Sequence, residues 1–146
     1  MAAKFFSAIL IYTKDVERLG TFYRDVLGIP LEDEKHGNEP LHYGCELGEL
    51  HFAIHGAKDG MNPGVGSTCL AFEVFDIEAH MKDMAAHNVN ILQQPIDMGF
   101  MKRSVIADPD GNRVEFTELA KSWIEHLRSR RAEGQDLLTE WDKRHS

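Results

Sequence analysis

Asp108-Pro109-Asp110-Gly111-Asn112-Arg113-Val114-Glu115-Phe116 is a strand-turn-strand signal. Asp-Pro-Asp-Gly makes a four-residue turn: Pro109 presets φ at the second position, Asp108 bonds back to its own turn backbone, and Gly111 accepts the exit geometry. Arg103 to Ala107 reads as the strand before the turn. After it, Val114 and Phe116 point one way while Arg113, Glu115 and Thr117 point the other. The turn therefore joins an antiparallel hairpin that holds one carboxylate, Glu115, opposite the apolar face.

Upstream of this hairpin, Ser67 to Phe75 reads as a strand with Leu70, Phe72 and Val74 on one face. Asp76 fits a helix N-cap, followed by Ile77, Met81, Met84 and Ala85 at helical spacing. Val89 to Gln93 is extended, and Ile96 to Met101 reads as a loop around Gly99. The first half of the chain has the same order. Phe5 to Thr13 is a buried strand, Asp15 an N-cap, Val16 to Leu27 a helix with Gly28 at its C′ position, and Pro30 to Glu34 an extended piece. After a polar loop, His36 to Pro40, two alternating strands are joined at Gly48-Glu49. That turn sets a register: Leu47 faces Leu50, Cys45 faces Phe52 and Tyr43 faces Ile54 on an apolar side. Glu46 faces His51, Gly44 faces Ala53 and His42 faces His55 on the other, with a small-residue gap in its middle. The gap is either room for a ligand or part of an ordinary solvated face.

The halves superpose at a shift of 61 residues, with Asp15-Val16-Glu17 on Asp76-Ile77-Glu78, Ile9 on Leu70, Ile11 on Phe72 and Leu31 on Leu92. This is an internal strand–helix–strand–strand–strand repeat. The expected organisation is a single α+β domain, 1–146, with modules at 5–56 and 67–118. A glycine-rich linker at 57–66 joins them, and a helical extension at 119–146 carries both tryptophans, with a break at Gly134.

Composition bounds the function. The chain of 146 residues carries net charge −8, with 42% apolar and 27% charged residues. Residues 120–146 hold six Lys/Arg against five Asp/Glu, so residues 1–119 carry −9. That argues against a nucleic-acid or anionic-membrane surface. No run approaches membrane-spanning length. Two cysteines, Cys45 and Cys69, make no disulfide framework, and the simpler expectation is reduced thiols in a cytoplasm.

The element order, with Phe22-Tyr23-Arg24-Asp25-Val26-Leu27-Gly28-Ile29 and the Asp108–Phe116 stretch, resembles the vicinal oxygen chelate superfamily. That group holds glyoxalase I, bleomycin-resistance proteins, extradiol dioxygenases and fosfomycin-resistance transferases. The resemblance covers about residues 5–118. It implies two βαβββ modules forming an incomplete barrel around a concave pocket, and a homodimer. Metal-dependent members draw His or Glu ligands from the first and fourth strands of each module. Of those positions Glu115 is intact, one is Cys69, and two are Ala8 and Ala53, with His51 and His55 two residues to either side of Ala53. Two residues along a strand displace a side chain by roughly 6–7 Å.

The leading expectation is thus a small-molecule binder of the bleomycin-resistance type without catalytic metal or other cofactor. Its ligand, apolar or aromatic, would meet Tyr12, His51, Cys69, Met98, Phe100 and Glu115. One alternative is a metal-dependent lyase, isomerase or dioxygenase, with a divalent ion such as zinc on Glu115, Cys69 and His51. Another is a metal-free enzyme with Glu115 as general base. Each residue also has a plainer reading. Glu115 can pair with Lys102, Arg103 or Arg113. His51–Glu46 can be a simple cross-strand pair, Cys69 a small hydrophobe, and Met98 and Phe100 core.

Overall fold

The computed structural model describes residues 6–35, 37, 38, 40–132 and 136–146. The first module runs β1 (Ala8–Thr13), α1 (Val16–Thr21), β2 (Glu32–Glu34), β3 (His42–Leu47) and β4 (Leu50–Gly56). The second runs β5 (Leu70–Glu73), α2 (Ile77–Ala86), β6 (Asn90–Asp97), β7 (Met101–Ala107) and β8 (Arg113–Leu119). Two helices follow, α3 (Lys121–Ala132) and α4 (Leu137–His145). Each module is a four-stranded sheet, ordered β1-β4-β3-β2 and β5-β8-β7-β6, with its first and last strands parallel. The two sheets do not close on each other, so the architecture is an α+β open barrel built from a repeat.

Local chemistry explains the elements. Both module helices start on an aspartate: Asp15 accepts from Arg18 N and Asp76 from Ala79 N, each at 3.0 Å. These bonds satisfy backbone donors that a helix start leaves open. The first helix does not run on as a plain α-helix. It widens at Phe22–Val26 into a π-helical turn, closed by Leu27 N to Phe22 O at 3.1 Å. Gly28 ends it at φ +75°, a left-handed conformation that glycine adopts without a Cβ penalty. The β3–β4 hairpin has the register expected from its turn, Leu47 opposite Leu50 through Tyr43 opposite Ile54. β6 extends to Asp97, past the expected end at Gln93. It does so with register shifts between Ile91 and Ile96 around Pro95, which an edge strand tolerates because its outer N–H groups need no partner. The loop at His36–Pro40 and the break at Gly134 include positions outside the described residues.

The modules join through their apolar faces. Tyr23, Phe52 and Phe116 are essentially buried, and Phe72 meets both Phe52 (ring centroids 5.8 Å) and Tyr23 (6.4 Å). Burying aromatics of this size contributes on the order of 2–3 kcal/mol each. The Asp108–Asn112 turn latches the modules at one edge. Asp108 is buried and accepts from Asp110 N and Asn112 N at 2.9 Å, and its other oxygen accepts from the Tyr23 phenol at 2.9 Å. Asp110 accepts from Thr13 Oγ1 at 2.6 Å and from Arg18 at 2.9 Å. Burial, then the Asp108 charge, pushes the Tyr23 phenol far above its ordinary range, so it stays a donor. Because each sheet turns its apolar side to this shared core, its polar side faces the other way.

Candidate functional site

The polar face of the second module carries Glu115. Its backbone lies between Ala71 on β5 and Val105 on β7, and Arg103 pairs with Thr117 one step along. Of the cations expected near Glu115, the fold selects Arg103, whose Nε lies 3.8 Å from Glu115 Oε2. That is an ion pair but too long for a hydrogen bond, and Arg103 Nε is buried with no hydrogen-bond partner. The guanidinium makes one long contact elsewhere, Nη2 to Gln93 Oε1 at 3.4 Å. Both side chains are partly exposed, so a polar ligand atom can meet the pair from its open side rather than at the buried Nε. Glu73, by contrast, is engaged in structure, accepting from Thr117 Oγ1 and Leu119 N at 2.8 Å.

Cys69 is exposed just before β5, and its thiol lies near Glu115 and Arg113. Partial desolvation, then the Glu115 carboxylate, push the thiol above its ordinary range, although Arg113 and Arg103 pull it down. A thiol so placed is not an activated nucleophile. Met98 and Phe100 are partly exposed at the β6–β7 turn, where Gly99 has φ +89°. Phe100 packs on Trp123 of α3 with ring centroids 5.3 Å apart. These two residues therefore lie at the surface rather than in the core.

The first module's polar face holds Tyr12 and His51. The parallel pairing sets Ala8 beside His51, Leu10 beside Ala53 and Tyr12 beside His55. His51 Nδ1 lies 2.8 Å from Glu46, the cross-strand pair expected. The gap over Gly44 and Ala53 is not vacant: a Cβ on Gly44 would come within 2.6 Å of the Glu34 carboxylate. Glu34 Oε2 lies 3.0 Å from His42 Nε2 and 3.9 Å from His51 Nε2. His42 in turn stacks on His55 at 4.1 Å, and Tyr12 lies 5.8 Å from His55. Glu34 was missed as a member of this face, because the loop between β2 and β3 hides its register, whereas the Gly48-Glu49 turn already sets His42 there facing His55.

The metal-ligand positions implied by the resemblance fit a cage poorly. Glu115 is paired to Arg103, while Ala8 and Ala53 offer no donor atom. Among the described residues no group of three His, Cys, Asp or Glu side chains is arranged to hold a metal ion. Tyr12 and His51 lie on one module and Cys69 and Glu115 on the other, so the proposed zinc set Glu115, Cys69 and His51 draws on two sheets.

Two cavities open along the seam between β1 and β5. One, of about 730 Å³, is bordered by Tyr12, Lys14, Arg18, Met61 and Arg113. The other, of about 470 Å³, is bordered by Leu47, Phe52, Cys69, Ala71 and Glu73. Tyr12 lines the first and Cys69 the second, while His51, Met98, Phe100 and Glu115 line neither. The sequence-based site is thus spread over two sheet faces, not gathered in one hollow of the chain.

Two repeated βαβββ modules, each a four-stranded sheet with its first and last strands parallel, define an architectural class. Residues 6–116 match the Glyoxalase/Bleomycin resistance protein/Dioxygenase superfamily, and the chain belongs to it. Solved structures with the same fold include TnmS3, an antibiotic binding protein from Streptomyces sp. CB03234, at TM-score 0.67 and 19% identity, covering 82% of this chain and 99% of that one. Virulence protein STM3117 from Salmonella typhimurium matches at TM-score 0.64 and 19% identity, over 82% and 100% of the two chains. TioX from Micromonospora sp. ML1 matches at TM-score 0.60 and 18% identity, over 79% and 98%. At these identities the likeness is one of fold. No protein of curated function matches the sequence. Among the described residues no helix is long and apolar enough to cross a membrane.

Proposed function

We propose that the chain is a small-molecule-binding protein of the glyoxalase/bleomycin-resistance type that works without a resident metal. Its ligand is apolar or aromatic with at least one polar atom, and it lies on the polar face of the second module. The observation that carries this reading is the Glu115–Arg103 pair, held 3.8 Å apart without a hydrogen bond between them and with both side chains partly exposed. A ligand atom that accepts from Arg103 while a neighbouring donor reaches Glu115 completes both groups. Charge-assisted bonds of this kind are roughly twice as strong as neutral ones. Ile96, Met98 and Phe100, all partly exposed, give the apolar wall at the end of the same module. TnmS3, an antibiotic binder, supports binding as a use of this scaffold. A homodimer is part of the proposal, since each polar face lies open and a second copy would cover it.

A thermal-shift screen with neutral and cationic polycyclic aromatics tests the binding, followed by titration of the hits on the wild type and on Glu115→Gln. The expected result is an affinity loss of about tenfold in the variant, near 1.4 kcal/mol, with the ligand recovered chemically unchanged from both. A ligand that the wild type converts and Glu115→Gln does not would make the protein an enzyme with Glu115 as base. A stoichiometric metal in the purified protein, whose removal lowers Tm, would overturn the metal-free reading.

A further inference from the structure

We infer that the larger seam cavity is a second ligand site, selective for an amphipathic anion: a molecule with one acidic group on an apolar or aromatic body. The cavity lies between β1 and the start of β8, and its volume of about 730 Å³ falls within the range of small-molecule pockets. Its walls include Ile9, Ile11 and Leu70 on the apolar side, and Lys14, Arg18 and Arg113 as cations. Two carboxylates also border it, Asp15 and Asp110, and both are committed. Asp15 accepts from Arg18 N at 3.0 Å; Asp110 accepts from Thr13 Oγ1 at 2.6 Å and from Arg18 Nη2 at 2.9 Å. Arg18 is held further by the Pro109 carbonyl at 3.0 Å.

The side chains of Lys14 and Arg113 make no hydrogen bond or ion pair among the described residues. Three cations against two occupied carboxylates make this wall locally positive in a chain of net charge −8. Anion-selective recognition follows from that imbalance: an acidic group meets two unpaired cations, one of them a guanidinium shaped for carboxylate, sulfonate or phosphate oxygens. The apolar body of the same molecule displaces water from Ile9, Ile11 and Leu70. Neither Glu115 nor Arg103 lines this cavity, so the inference stands apart from the proposed binding face.

The test is a pair of fluorescence titrations with 1-anilinonaphthalene-8-sulfonate and its uncharged relative N-phenyl-1-naphthylamine. The expected result is that Lys14→Gln with Arg113→Gln weakens the sulfonate by about tenfold or more, as loss of charge-assisted bonds requires. The uncharged dye should stay within about twofold and Lys82→Gln should change neither, because Lys82 lies on α2 away from the cavity. The single variants, each expected to lose roughly threefold, decide by the same criteria if the double variant melts early. The inference is overturned if the sulfonate does not bind the wild type at one site. It is also overturned if a folded variant keeps the sulfonate affinity, or if both dyes weaken equally.

Discussion

Asp108 gathers more bonds than its place in a turn requires. It satisfies two backbone N–H groups, the Asn112 side chain at 3.0 Å and the Tyr23 phenol, all from a buried position. Tyr23→Phe removes one buried bond and leaves an oxygen of Asp108 with one partner fewer, so unfolding free energy should fall by about 1–2 kcal/mol in urea melts. Asp108→Ala strands the phenol and two backbone donors at once and should cost more. His80 is a second residue with a measurable signature. Its ring packs on Phe116 at 4.3 Å, and its Nε2 is buried without a partner. Burial lowers its pKa below the ordinary 6.5, with Asp83 opposing the shift. From about 6.5 downward the unfolded chain therefore binds more protons than the folded one, and stability falls as pH falls. His80→Leu should remove this part of the acid loss, read as a smaller drop in Tm between pH 7.5 and pH 5; an unchanged drop would rule His80 out as its source. Glu115 could be placed on a polar face by parity alone. Its partner could not, because Lys102, Arg103 and Arg113 were all within reach of a sequence argument, and only the β7–β8 register separates them.

Among elements, the hairpins were legible in proportion to how tightly their turns are specified. Gly48-Glu49, with Gly48 at φ +64°, fixes every pair from Leu47–Leu50 to Tyr43–Ile54. The longer connection between β2 and β3 fixes nothing by itself, so the pairing of Glu34 with His42, and with it the filling of the Gly44 gap, stayed hidden. The C-terminal helices follow a different rule. α3 touches the body through Trp123 on Phe100 and the Ala120 N–Phe100 O bond of 2.8 Å, whereas α4 has no buried residue among those described, with Leu138 71% and Trp141 57% exposed. An amphipathic pattern records an apolar stripe but not what covers it. Ending the chain after Ala132 should therefore lower Tm by no more than about 2–4 °C, equivalent to roughly 1 kcal/mol. A larger drop in differential scanning fluorimetry would mean that α4 packs on the body or on another copy.

At the scale of the whole molecule, the decisive feature is which sides of the two sheets meet. Phe52, Phe72 and Tyr23 bring the apolar sides together, so the polar sides, with Leu10 and Ile96 partly exposed upon them, face outward. Light scattering after size exclusion should give twice the 16.6 kDa chain mass, and Leu10→Arg with Ile96→Arg should shift it to the monomer. A wild-type monomer at micromolar concentration would remove the dimer from the proposal. The sequence by itself determined the repeat, the order of strands and helices, the two N-caps, the Asp108–Asn112 turn and the two faces of the β3–β4 and β7–β8 hairpins. Those follow from periodicity and local bonding, which depend on neighbours a few residues away. Only the tertiary structure decided that Arg103 is the partner of Glu115 and that Glu34 fills the first module's gap. It likewise decided that Lys14 and Arg113 border one cavity from opposite halves of the chain. These depend on strand register across long loops and on the packing of one module against the other, which no local pattern encodes.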